Sequence, residues 1–135
     1  MSDHVDGPVQ RLIERINEAI QAKEVTDFQI CSFQNDSLLL IGSFNLAYYH
    51  DLEVRFHKVT YINLPVYGID SPIFSIATKL EQEQHAQLDL QEETLFRIVS
   101  SPELFSHPYF IAAEQISISE KRVHYQVSDN EASPE

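Results

Sequence analysis

SLLLIGSFNLAYYHDLEVRFHKVTYINLP, residues 37–65, is the stretch with the densest apolar and β-branched content in the chain. Within it Leu52, Val54 and Phe56 alternate with polar residues, the period-two pattern of a half-buried strand. The run 38–41 is apolar without alternation, which predicts an inner strand covered on both faces. The stretch therefore predicts the centre of a β-sheet.

Two positions within this stretch predict bends. Lys58 falls on the apolar parity, where a core side chain should lie, and a bulge or tight turn at 57–58 would move it to the outer face. Gly42 is the matching candidate on the preceding segment, because glycine inside a strand pattern often marks a bend. A sheet bent at both positions would curl rather than lie flat.

Working outward, residues 9–23 carry apolar side chains at spacings of three and four, which predicts an amphipathic helix with Pro8 at its first position. The acidic run 81–93 is expected to be an exposed turn or loop around a short segment from Leu88 to Leu90. Residues 119–122 lie between two alternating runs and suggest a hairpin. Strands are predicted at 27–34, 37–44, 46–56, 59–64, 73–77, 94–99 and 109–127.

This order of elements predicts the α+β class: an N-terminal amphipathic helix packed on an antiparallel β-meander. The sheet either stays open or curls into a partial barrel, and the predicted bends favour curling. We expect a single domain over 1–127, followed by a flexible acidic tail at 128–135.

The charge balance narrows the classes of partner. The 135-residue chain has a formal net charge of −12, which argues against binding to nucleic acid and to anionic membranes. It contains neither a secretory leader pattern nor a long apolar run, and Cys31 is its single cysteine. We therefore expect a cytoplasmic protein that does not enter the membrane.

The polar parity of the central strand places Asp51, Glu53, Arg55 and His57 on one face. Carboxylates beside imidazole could bind a divalent ion or form an acid–base pair, but a solvated strand face has the same composition. Arg55 would repel a cation, and the six histidines lack metal-ligand spacing. We expect no metal, no cofactor and no catalytic residue, and lean against an enzyme.

Tyrosines are the second group of candidate site residues. They flank predicted turns and strand ends, where a side chain with one apolar and one polar end suits an interface or a pocket. The alternative is that they complete the rim of the core. The five are Tyr48, Tyr49, Tyr61, Tyr67 and Tyr109.

Two functions of different classes follow from these observations. The first is a non-catalytic protein-interaction module that self-associates as a homodimer or binds a basic protein, as an inhibitor or immunity-like protein would. The second is a small-molecule-binding or enzymatic domain with an aromatic pocket inside the curled sheet. The orientation of Asp51, Glu53, Arg55 and His57 distinguishes them: an inward cleft favours the second, and an outward face beside an apolar patch favours the first.

Overall fold

A computed structural model describes residues 7–100 and 107–125. Helix α1 spans Pro8–Ala22, and the shorter α2 spans Lys79–Gln84 and is followed by a 3-10 turn at Ala86–Leu88. The strands are β1 (Asp27–Gln34), β2 (Ser37–Ser43), β3 (Tyr49–His50), β4 (Leu52–Asn63), β5 (Ile69–Asp70), β6 (Pro72–Ile76), β7 (Thr94–Ser100), β8 (Tyr109–Ser119) and β9 (Val123–His124).

Seven strands form one antiparallel sheet in the order β5-β1-β2-β4-β8-β7-β6. Its two edge strands, β5 and β6, are separated only by Ser71, whose φ of 48° turns the chain sharply. Strand β5 pairs with β1 and β6 pairs with β7. The sheet is thereby nearly closed into a barrel, which confirms the α+β class and the predicted curling.

Helix α1 begins at Pro8, as the sequence predicts, and Gly7 is its N-cap. Its apolar stripe, which includes Ile13 and Ile16, is buried against the concave face of the sheet. The sheet contributes four fully buried rings to the same core: Phe28, Phe56, Phe74 and Phe96. Ring centroids lie 5.5 Å apart for Phe28 and Phe74 and 5.2 Å apart for Phe56 and Phe96. Aromatic packing therefore fills the interior.

The bend predicted near Lys58 is confirmed, although it does not end the strand. Lys58 has a φ of 56°, and both Phe56 and Val59 are buried, so the inward parity changes across this residue. Because β4 runs unbroken through the bend, the predicted division into 46–56 and 59–64 is wrong. Gly42 lies in regular register with both neighbouring strands, and the irregularity instead falls in β1 between Ile30 and Ser32.

The loop expected at 81–93 is largely structured. Thr78 and Glu81 form a capping box that starts α2, in which each side chain accepts a hydrogen bond from the other residue's backbone N–H. Leu88 and Leu90 then pack on a second core cluster on the outer face of β7 and β8. The segment has no buried residue, as expected of an exposed segment, but its first residues form a helix rather than a loop because the capping box starts α2.

The C-terminal strand also departs from the expected hairpin. Strand β9 pairs with β3 in a separate two-stranded sheet rather than with β8. The acidic tail predicted at 128–135 lies outside the described residues. Among the helices of the described ranges, none has the length and apolarity needed to cross a membrane.

Candidate functional site

The outer face of β4 carries three of the four polar candidates. Glu53, Arg55 and His57 alternate with the buried residues of the strand and are half-exposed. The Arg55 guanidinium donates to Ser37 Oγ at 3.1 Å, and His57 Nε2 lies 3.2 Å from Ser117 Oγ. These side chains therefore spread over the sheet surface and do not converge on a cleft.

His50, beside this face, joins a chain of hydrogen bonds. Its Nε2 lies 2.8 Å from Glu53 Oε2, and its Nδ1 lies 2.9 Å from the Tyr125 hydroxyl. Because the carboxylate accepts only, Nε2–H donates to Glu53, and a neutral imidazole then accepts the Tyr125 O–H at Nδ1. The result is a continuous relay of the form tyrosine–histidine–glutamate.

Asp51 is the fourth polar candidate and is 3% exposed. Its Oδ2 accepts a hydrogen bond from Arg122 at 3.2 Å, while its Oδ1 has no partner among the described residues. The Arg122 guanidinium also lies 4.4 Å from the centre of the Tyr49 ring. Asp51 and Tyr49 together hold Arg122 immediately before β9.

The relay has the composition of an acid–base site, and its hydrogen bonds also join the residue after β9 to β3. Burial raises the pKa of the Tyr125 hydroxyl, and the charges of Cys31 and Glu53 raise it further, which favours the neutral hydroxyl that hydrogen-bonds His50. Both imidazole nitrogens of His50 are engaged internally. Tyr125 N–H also bonds the Tyr48 carbonyl at 3.1 Å. The cluster therefore fastens β9 to β3.

The five candidate tyrosines occupy different environments. Tyr49 contacts Arg122 and His124, and Tyr61 packs edge-on against His85, so both are engaged within the molecule. Tyr48 and Tyr67 are exposed on two loops, and Tyr109 is half-buried at the start of β8. The structure brings Tyr67 and Tyr109 together in the lining of one cleft.

That cleft, which we call the tyrosine cleft, has a volume of about 510 Å³. Its lining combines aromatic, aliphatic and acidic side chains, notably Asp27, Leu46, Tyr67, Asp70 and Tyr109. None of the described residues that line it is Lys, Arg or His. The cleft therefore presents apolar walls together with negative charge.

Strand pairing places the two carboxylates of the cleft. Asp27 in β1 and Asp70 in β5 are direct cross-strand partners, so their side chains project from the same face. Gly68 allows the preceding loop to approach β1, because it has a φ of 111° and a Cβ built there would lie 3.1 Å from the Phe28 carbonyl oxygen. Two like charges thus stand side by side at the cleft.

Neither carboxylate is neutralised by a basic side chain within the described ranges. Asp70 Oδ1 accepts a hydrogen bond of 3.3 Å from the neighbouring Ser71 hydroxyl. Like charges directly opposite each other in a sheet are destabilising. The pair is therefore an unrelieved electrostatic feature of the surface.

Apolar side chains are exposed on the two loops that flank the cleft. Phe44 and Tyr48 are 57% and 66% exposed, and Val66 and Tyr67 are 86% and 83% exposed. Leu46 from one loop and Tyr67 from the other both line the cleft, so the two loops lie near each other. We call Phe44, Leu46, Tyr48, Val66 and Tyr67 the loop surface.

Sequence reasoning missed most of this site. Asp27 and Asp70 lack a shared local pattern, because a pairing between distant segments brings them together. Phe44 and Leu46 were available as apolar residues beside Asn45 in a turn-forming context, but nothing in the sequence linked them to Tyr67. Only the tyrosines gave a signal.

Comparison with known proteins gives no relative from which a role of the site could be inferred, so the site is interpreted from its own chemistry. The chain matches no family model, no curated protein and no solved structure. Over residues 7–100 and 107–125, no three His, Cys, Asp or Glu side chains are grouped so as to hold a metal ion. The class defined by fold and site is a curled α+β domain with an acidic cleft beside an apolar loop surface.

Proposed function

We propose that this chain is a non-catalytic protein-interaction module that binds a basic protein through the loop surface. The observation that carries the proposal is the exposure of large apolar side chains on two adjacent loops, with Val66 and Tyr67 both more than four-fifths accessible. Apolar surface gains about 25 cal/mol per Å² when it is removed from water. A contiguous exposed apolar patch beside polar residues is typical of a protein-binding surface.

The overall charge favours a basic partner over a second copy. Two chains that each carry a formal charge of −12 repel, whereas a basic surface is attracted and its encounter is accelerated. Salt screens such attraction, with a Debye length of about 10 Å at 0.1 M ionic strength. Binding should therefore weaken as salt is added.

The alternative function, a ligand pocket inside the curled sheet, has less support. The four buried phenylalanine rings occupy the concave side where such a pocket would lie. The polar residues Glu53, Arg55 and His57 lie on the outer face of β4. The filled interior and the outward orientation of these three residues favour the interaction module, whereas Asp51, the fourth residue of the criterion, is buried and faces neither a cleft nor open solvent.

The test compares two variants in which exposed apolar side chains are replaced by serine. Val66→Ser/Tyr67→Ser removes the most exposed part of the loop surface, and Leu80→Ser removes an exposed leucine from α2. We expect immobilised wild-type chain and the Leu80→Ser variant to retain the same basic protein from cell lysate at low salt. The loop variant should lose it.

Three results would contradict the proposal. The first is equal capture by the two variants, which would show that the loop surface is not involved. The second is a monomer by light scattering that captures nothing and instead retains a small molecule through purification, which would favour the pocket. The third is a stable dimer abolished by the loop variant, which would replace the basic partner with self-association.

A further inference from the structure

The tyrosine cleft joins features that are found together where a guanidinium group is bound. It has a pair of carboxylates, two tyrosine rings and no basic side chain among its described lining residues. Its volume of about 510 Å³ lies within the range of about 300–1,000 Å³ that is typical of ligand sites. It opens beside the loop surface, sharing Leu46 and Tyr67 with it.

We propose that the tyrosine cleft receives an arginine side chain of the protein partner. This inference rests on the proposed function, because it specifies which group of the basic partner the chain recognises. The charge complementarity lies in Asp27 and Asp70, which are direct cross-strand partners without a basic residue beside them in the described structure. A cation between them would add two attractions that offset the repulsion between the carboxylates.

The aromatic walls select arginine over lysine. A guanidinium is planar and stacks on the face of a tyrosine ring, while its fork of N–H groups bonds a carboxylate with two parallel hydrogen bonds. An ammonium is a compact, strongly hydrated charge that achieves neither geometry. The aliphatic part of the arginine side chain would lie against Leu46.

The exposure of Asp27 and Asp70 makes a direct test practical, because substitutions there leave the core intact. The variant Asp27→Asn/Asp70→Asn removes both charges from the cleft. The matched control, Glu83→Gln/Glu92→Gln, removes the same amount of charge from two exposed positions of the 79–93 segment. Without ligand, the cleft variant should melt at a higher temperature than the control, since it loses the like-charge pair.

The ligand is the peptide acetyl-Gly-Arg-Gly-Arg-Gly-amide, followed by NMR of the isotope-labelled chain. Matched peptides carry lysine or citrulline, the latter being a neutral isostere, in place of arginine. We expect saturable shifts of the backbone amides around Asp27, Tyr67 and Asp70 with the arginine peptide, weaker shifts with lysine and none with citrulline. Affinity should fall about tenfold in the cleft variant and stay unchanged in the control.

Three outcomes would overturn the inference: equal shifts with citrulline, equal affinity in the cleft and control variants, or no shifts at these residues. The proposed function fails separately. If the cleft variant still captures the basic partner and the Val66→Ser/Tyr67→Ser variant does not, the interaction module stands and the arginine site is wrong. If the cleft variant loses the peptide while the loop variant leaves partner capture intact, the arginine site stands and the loop surface is not the surface that binds the partner.

Discussion

Gly42 shows how a single residue sets the distance between β2, β1 and the segment that leads into β1. It lies in β2 opposite Phe28 of β1 and Leu52 of β4, without any break in register. A Cβ at this position would lie 2.5 Å from Phe28 Cδ1 and 2.8 Å from Val25 Cγ1. Glycine is needed there for close packing, whereas the sequence pattern predicted a bend.

We therefore predict that Gly42→Ala destabilises the protein by about 1–3 kcal/mol, as overpacking of a filled core does. Urea unfolding gives the value. The Phe28 ring is the group nearest to the added methyl, so Phe28→Leu should relieve part of the overpacking. The double variant should therefore be more stable than the sum of the two single changes predicts. Strict additivity of the two changes would contradict this account of Gly42.

Glu81 links the acidic segment to the body of the protein. Its carboxylate accepts from the Thr78 backbone N–H at 2.9 Å and from Arg97 Nε at 2.9 Å. Partial burial opposes ionisation, but the Thr78 hydrogen bond and the Arg97 charge outweigh it and lower the pKa of Glu81 below its ordinary value of 4.5. The ionised form is therefore preferred in the folded state.

The sign of the resulting pH dependence follows from linkage. A carboxyl with a depressed folded-state pKa contributes stability above its unfolded pKa and loses it as the pH falls through the folded pKa. Glu81→Gln should cost about 1–2 kcal/mol at neutral pH, and that difference should shrink below about pH 4.5. Unfolding by urea across this pH range, with the exposed Glu83→Gln as control, measures it. A difference that is the same at every pH would refute the role of the charge.

Among the elements, α1 protects an open edge of the sheet. Strand β6 has β7 on one side only, and the Asn17 side chain occupies the other side. Asn17 Nδ2 donates to the Phe74 carbonyl and Asn17 Oδ1 accepts from the Phe74 N–H, both at 2.9 Å. The amide thus replaces a missing strand partner, and Pro72 begins β6 without an N–H of its own.

Replacing Asn17 with leucine should leave both Phe74 backbone groups without a partner and cost about 2 kcal/mol or more. Gln21→Leu, at an exposed position one turn further along α1, is the matched control and should be nearly neutral. Urea unfolding measures both, and light scattering reports whether the freed edge associates. An Asn17→Leu variant as stable as its control would mean that the hydrogen bonds from Asn17 to Phe74 do not stabilise the β6 edge.

The elements that the sequence predicted are those whose pattern is local. Helix α1, strand β1 and the change of parity at Lys58 all follow from side-chain spacing within a few residues. Helix α2 also had a local signal, since Thr78 and Glu81 have capping-box spacing, but the acidic composition of the segment drew the interpretation towards a loop.

Pairings between distant segments were beyond the sequence pattern. Strands β3, β5 and β9 have two residues each, too few for periodicity to identify them, and their partners lie far along the chain. The barrel closure through Ser71 and the tyrosine cleft both depend on β5. The sequence could therefore predict the tyrosines as candidate site residues, but it could not predict where in the fold they lie or which of them share a cleft.

At the scale of the whole molecule, charge and apolar exposure act together. The formal charge of −12 favours approach of a basic surface, and in the proposed function the exposed side chains of the loop surface would supply the short-range contact. The acidic pair in the tyrosine cleft would then select the partner's arginine. The curled sheet, whose edge strands β5 and β6 follow one another through Ser71, brings the two loops together at the cleft.

Site-specific photo-crosslinking tests this account most directly. A benzophenone amino acid is placed at position 67, in the loop surface, and in a second variant at position 80, another exposed site, on α2. The account predicts a heteromeric crosslink to one basic protein from position 67, lost at high salt, and none from position 80. Equal crosslinks from both positions, or a product at position 67 containing only this chain, would contradict it.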